Sequence, residues 1–155
     1  MELRKAEMTD LESWLSMIQL MKDNFPGLDD GMESYKETVI KNIKRGTTLC
    51  VTENNQLVGV MLYSVKSNSL SFLAVHPDHR KSGVASMMIH KLLEIMSGDI
   101  QLSTFREGDD KAIAPRKLYK KFGFEPGELT IEFDYPHQKF YLRRTYEENT
   151  CGKKE

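Results

Sequence analysis

The stretch Leu73-Ala74-Val75-His76-Pro77-Asp78-His79-Arg80-Lys81-Ser82-Gly83-Val84-Ala85-Ser86 holds the residues best suited to chemistry. A β-rich run enters a short polar loop. The loop enters a helical pattern whose first turn contains Gly83 and the small Ala85. The first N–H groups of a helix have no intrahelical acceptor, and that end carries a partial positive charge. Small residues let a phosphate approach those N–H groups. Arg80 and Lys81 add two cations and Ser82 adds a hydroxyl. These residues describe a pyrophosphate-binding loop, although a plain strand–helix junction would carry the same glycine. The spacing is neither that of a Walker loop nor that of a three-glycine dinucleotide fingerprint.

Other reactive residue types are scattered. His76 and His79 flank the loop and read as solvated turn residues, and His90 as an exposed helical position. No cysteine pair lies at metal-ligand spacing, so no metal is expected. Cys50 falls in a strand-like run and Cys151 in a polar tail, so neither reads as a nucleophile or as half of a disulfide framework. The run Arg116, Lys117, Lys120, Lys121 reads as a solvated helix face. The nine methionines mostly fall at core spacing.

Composition narrows the setting. The 155 residues suit one domain, expected over 1–146 with a polar tail at 147–155. Lys and Arg total 22 against 23 Asp and Glu, a net charge of −1, which argues against a nucleic-acid partner. Hydrophobic residues make up 39% and charged residues 29%, a globular balance. No apolar run approaches a membrane span and no signal segment is visible, so a cytoplasmic location is expected.

These residues must be positioned by an alternating set of elements. Residues 3–6 read as a short strand. Apolar residues from Leu11 recur at Trp14, Leu15, Ile18 and Met21, one face of a helix. Residues 24–30, with Pro26 and Gly27, read as a loop. Residues 32–44 read as a second helix closed by Gly46. Residues 47–52 and 57–65 form a hairpin about the polar turn 53–56. Strands follow at 69–75 and 100–105, with helices at 83–96 and 111–122. Residues 129–135 and 139–143 read as the last two strands, with Pro136 and His137 as their turn. Hairpins followed by a strand–helix–strand crossover imply a mixed α/β sheet.

The pattern Arg80-x-x-Gly83-x-Ala85 behind Leu73-Ala74-Val75 resembles the acyl-CoA signature of the GNAT superfamily of N-acetyltransferases. A second block, Leu118-Tyr119-Lys120-Lys121-Phe122-Gly123-Phe124, is similar to that family's late helix and its exit into the next strand. The resemblance covers nearly the whole element order. It implies a mixed, mostly antiparallel sheet with about four flanking helices. It implies acetyl-CoA as cosubstrate, its pantetheine arm along the backbone of Leu73, Ala74 and Val75. The pyrophosphate would meet Arg80 and the N–H groups of Lys81, Ser82, Gly83, Val84, Ala85 and Ser86. A slot would open between that strand and residues 100–105. Tyr119 matches the position at which many relatives use a tyrosine as general acid to the departing thiolate. A tyrosine is protonated at neutral pH and able to donate.

The acceptor implied is a primary amine, on a small molecule or a protein, attacking the thioester directly. Such an amine must lose a proton, which costs roughly 4.6 kcal/mol at neutral pH for a pKa near 10.4. Protein-acetylating relatives place a glutamate early on the cofactor strand, and Ser69 stands at the matching position. Glu37, Glu132 and Asp134 are alternative bases. Relatives also carry Asn and Ala seven and four residues before the tyrosine, where this chain has Ala112 and Pro115. Asp29, Asp30, Glu33 and Glu37, with Phe25 and Tyr35, read either as ordinary loop acidity or, on the resemblance, as an acidic and aromatic rim suited to a cationic amine. Late strands of the family often pair between subunits, so a homodimer is open. The alternative function is a non-catalytic acyl-CoA-binding or sensing module.

Overall fold

The computed structural model describes residues 1–144, apart from the side chains of Asp29 and Asp30. The expected tail at 147–155, with Cys151, lies outside the described residues. Seven strands form one sheet in the order β1-β2-β3-β4-β5-β7-β6. They are β1 (Glu2–Arg4), β2 (Thr48–Glu53), β3 (Gln56–Ser64), β4 (Ser69–Val75), β5 (Ile100–Phe105), β6 (Glu125–Glu132) and β7 (Tyr135–Leu142). The α-helices are α1 (Leu11–Leu20), α2 (Leu28–Arg45), α3 (Val84–Ile95) and α4 (Ile113–Lys121).

Helical periodicity decides which face of the sheet each helix covers. α1 turns Trp14, Met17 and Ile18 inward, and Val39 of α2 joins them against Cys50, Val60, Leu62 and Ala74. On the other face, Val84, Met88, Ile89 and Leu92 of α3 pack with Met61, Leu102, Tyr119 and Phe140. Gly59 of β3 permits this approach. A Cβ there would stand 2.5 Å from Val84 Cγ1 and 3.0 Å from Met88 Cε.

Every neighbouring pair is antiparallel except β4 and β5. Those two are parallel and meet only at Ser69↔Gln101. Beyond that pair they part and leave a V-shaped slot. Asn68 pins the vertex: its Nδ2 donates to the carbonyls of Ser97 (2.9 Å) and Asp99 (2.5 Å), and its own carbonyl accepts from the Gln101 N–H. The β3–β4 register shifts there too. Leu62 faces Phe72 while Tyr63 faces Leu70, so Ser71 is an extra, unpaired residue.

Three expectations need correction. α2 begins at Leu28, inside the expected loop, because Gly27 (φ +86°) turns the chain straight into the helix. α4 begins at Ile113 after a 3₁₀ turn and not at 111, close to the start near Ala114 that Pro115 implies, with Pro115 in the first turn, where its missing N–H has no intrahelical partner to lose. The last turn lies at Phe133 and Asp134, with φ +55° and +57°, and not at Pro136 and His137. Two consecutive left-handed residues match the twist of a hairpin, but Asn-Gly is their usual signature. Pro136 and His137 therefore lie inside β7, opposite Ile131 and Thr130.

Candidate functional site

Two clefts meet at the parted strands. The first, of about 410 Å³, lies between α3 and α4 and runs along the β4 backbone. Leu73, Ala74, Val75, Arg80, Lys81, Gly83, Val84, Ala85 and Ser86 line it. The β4 edge toward β5 is unpaired beyond Ser69, so its N–H and C=O groups can take an extended ligand as an added strand. Lys81 (φ +64°) and Gly83 (φ +86°) curl the loop into the start of α3. No side chain caps Gly83, so the N–H groups of the first turn stay available. A Cβ on Gly83 would meet nothing within 4 Å, which is the open space a phosphate needs.

Ser82 departs from expectation. Its hydroxyl donates to the His79 carbonyl, and it does not line the cleft. It braces the loop through its side chain. His76 and His79 are likewise not a solvated turn. His76 is buried, its Nδ1 accepting from the Asp78 N–H at 3.1 Å, and its ring meets that of His79 at 5.4 Å. His79 Nδ1 stands 3.2 Å from Glu53 Oε2.

Arg116 overturns the solvated-face expectation for its helix. It is buried, donates to the Phe105 carbonyl (3.2 Å) and Gln138 Oε1 (2.7 Å), and stacks over Phe140. It thereby ties α4 to the open end of β5. Lys117, Lys120 and Lys121 are exposed. Nearby, Lys111 Nζ donates to the Tyr135 hydroxyl, and that hydroxyl donates to Asp109. Lys111 thus joins Arg80 and Lys81 as a cation on the first cleft.

Tyr119 projects from α4 to the throat between the clefts and lines both. It is buried against Phe124 and Phe140. Burial raises its pKa well above the ordinary tyrosine value, so the hydroxyl is a donor at neutral pH. No hydrogen-bond partner of that hydroxyl is found among the described residues, and it is not sealed from solvent. Cys50 is also buried, and burial pushes its thiol up to about 11, which suits core packing and not nucleophilic attack.

The second cleft, of about 770 Å³, opens on the α1–α2 face. Phe25, Tyr35 and Phe72 form an aromatic wall, with ring centroids 4.8 and 5.0 Å apart. Trp14 Nε1 donates to the Tyr35 hydroxyl at 2.8 Å and fixes that wall to the core. Phe105, shared with the first cleft, stands opposite together with Glu132, His137 and Lys139. Glu33 and Glu37 are exposed and line neither cleft, so the described part of the expected acidic rim faces elsewhere. The Asp29 and Asp30 side chains lie outside the described residues. Glu132 is the carboxylate lining the second cleft among the described residues. Burial would raise its pKa, but hydrogen bonds from Ser103 and Thr130 and the charge of Lys139 outweigh that and hold it below the ordinary value. Ser69, where the resemblance looks for a glutamate, pairs with the Ser67 hydroxyl at 2.7 Å. Sequence reasoning missed His137 because proline beside it suggested a turn.

Among the described residues, no helix is long and apolar enough to cross a membrane. No group of three or more His, Cys, Asp or Glu is placed to hold a metal among them.

Comparisons with known proteins agree with this geometry. The model of the acetyltransferase (GNAT) family matches residues 14–124. The cysteine-rich protein 2-binding proteins of Mus musculus and Homo sapiens are each 36% identical over 86 residues, 54% of this chain. The match spans 10% of the length of those curated relatives. A GNAT-family acetyltransferase from Bacillus cereus superposes with a TM-score of 0.72 at 23% identity, covering 92% of this chain and 96% of that one. The PaiA N-acetyltransferase of Thermoplasma acidophilum, solved with coenzyme A, gives 0.75 at 15% identity, covering 92% and 98%. At these identities the likeness of the structures is one of fold.

Proposed function

The chain belongs to the GNAT acetyltransferase family, and on that premise we propose that it moves an acetyl group from acetyl-CoA to a primary amine by direct attack. The observation that carries this reading is that the two clefts share one throat, walled by Phe105, Pro115 and Tyr119, which line both. A thioester held from one side can there meet an amine arriving from the other.

Each part of the chain has a task in this reading. The free edge of Leu73, Ala74 and Val75 orients the pantetheine arm. The N–H groups from Lys81 to Ser86 receive the pyrophosphate, with Arg80, Lys81 and Lys111 supplying positive charge. Tyr119 donates a hydrogen bond to sulfur as the C–S bond breaks. Its raised pKa keeps the donor proton in place until charge develops on the leaving group. Preorganised donation of this kind needs no reorganisation at the moment of reaction.

A steady-state assay of thiol release from acetyl-CoA tests the reading. The acceptors would be spermidine, lysine, 2-phenylethylamine and a peptide with a free N-terminus. Amine-dependent release with a matching acetylated product is expected. A second reading, an acyl-CoA-binding module without turnover, rests on Ser69 and Ala112 standing where relatives carry Glu and Asn. Binding of acetyl-CoA with no amine-dependent release would favour it.

A further inference from the structure

The acceptor's ammonium has to lose a proton, and the second cleft offers few groups to take it. Glu37 and Asp134 are exposed and line neither cleft. Ser69 has no basic group. Glu132 lines the cleft, but its hydrogen bonds hold it below the ordinary carboxylate range and make it a poor proton acceptor.

His137 is differently placed. In the β5–β7 register it sits opposite Phe105, and their ring centroids are 5.2 Å apart. Phe105 lines both clefts, so the imidazole stands beside the throat. His137 Nδ1 lies 2.8 Å from the Tyr135 carbonyl oxygen. A carbonyl only accepts, so Nδ1 carries the hydrogen and Nε2 of the neutral ring keeps its lone pair. No hydrogen bond to Nε2 is found among the described residues. The backbone around the ring is also held. Arg106, the residue after β5, donates to the carbonyls of His137 (3.0 Å) and Thr130 (2.9 Å), bridging β7 and β6. The charged and titratable groups facing His137 are Glu132 on β6, Tyr135 and Lys139 on β7, Arg106 just past the end of β5, and Tyr35 and Tyr119 across the cleft.

We infer that His137 Nε2 is the general base that takes the proton from the acceptor's ammonium, with Glu132 as the anion that draws the cation in and balances the imidazolium. This rests on the acetyl-transfer reading above. The ammonium N–H bond breaks to form Nε2–H. The freed amine forms the N–C bond at the thioester carbon, and the C–S bond breaks. The nitrogen gives up its second proton to solvent, and the departing thiolate, hydrogen-bonded by Tyr119, takes one proton from solvent, so Tyr119 ends as it began. The imidazolium returns its proton to solvent.

Bromoacetyl-CoA tests this without knowledge of the acceptor. It carries a CH₂Br group where acetyl would lie, and an Nε2 lone pair within reach displaces bromide to form an N–C bond. Calorimetry first establishes that the reagent binds. Peptide mass spectrometry should then find the adduct on His137. His137→Gln should bind the reagent within about two-fold of wild type and form no adduct there. With an amine from the panel above, the same variant should lose about 10²-fold in kcat, a usual general-base contribution. With hydroxylamine, which is already unprotonated at neutral pH, it should keep wild-type turnover. Bound reagent that leaves His137 unmodified, or equal kinetic loss with both nucleophiles, would overturn the inference. Failure of the reagent to bind would overturn the acetyl-transfer reading itself, and this inference with it.

Discussion

The two clefts are made of different material. On the α3–α4 side, half of the lining comes from one stretch, residues 73–86, which offers the unpaired β4 edge and the first N–H groups of α3, with the cations Arg80, Lys81 and Lys111 beside them. The α1–α2 side is mostly side chains brought together from Phe25, Tyr35, Phe72, Phe105, Glu132 and His137. A backbone site tolerates changes of side chain and keeps its ligand. A side-chain site can change its acceptor one residue at a time. The difference separates what the fold carries from what this chain alone decides.

Substitutions can break that division or sharpen it. The largest effect is expected at the throat, where the sides meet. Tyr119→Phe should lower kcat by about 10²-fold while acetyl-CoA affinity stays within about two-fold. Stopped assays with paired calorimetry would show it, and equal turnover would reduce Tyr119 to a wall residue. Next comes the brace behind the throat. Arg116→Leu leaves Gln138 Oε1 and the Phe105 carbonyl without their donor, and should cost about 2 kcal/mol in urea unfolding. An unchanged midpoint would mean that the clamp contributes nothing.

Gly83→Val acts on the backbone side alone. Its left-handed φ of +86° strains any β-branched residue by about 1–2 kcal/mol, and the new methyls fill the phosphate space. Acetyl-CoA should bind about ten-fold more weakly while the acceptor KM holds. Glu132→Gln acts on the other side alone. It should raise KM for a cationic acceptor about five-fold, less so at high salt, and leave acetyl-CoA binding untouched. Crossed effects in either variant would erase the division.

The smallest effect belongs to a pair in neither cleft. Arg4 and Asp10 meet at 2.8 Å. The Arg4 hydrogen bond holds the Asp10 carboxyl below its ordinary value. A depressed carboxyl adds stability above its unfolded pKa, near 3.9, and that stability fades as pH falls through the lower folded value. Asp10→Asn should therefore flatten the acid limb of a stability–pH curve below about pH 4, by less than about 1 kcal/mol for a half-buried pair still screened by solvent, with catalysis unchanged.

The same division governs how much was legible in the sequence. The β4 and β5 bounds follow from apolar runs ended by His-Pro and by polar residues, and the loop before α3 from its glycine and cations. Every residue expected on the cofactor side lines that cleft except Ser82, because which way a short hydroxyl turns is decided by the His79 carbonyl and not by spacing. The second cleft was obscured by register. A turn expected at Pro136 takes His137 out of the strand, whereas the turn at Phe133 and Asp134 returns it beside Phe105. Arg116 was hidden in a run of charges, since helical position alone does not reveal a buried guanidinium with neutral acceptors.

Calorimetric titration of the full chain with acetyl-CoA, with ATP as the control, tests the central claim most directly. The cleft beside β4 predicts one site per chain that takes acetyl-CoA, takes ATP weakly or not at all, and is weakened by Gly83→Val. No heat with acetyl-CoA, or equal affinity for ATP, would contradict it.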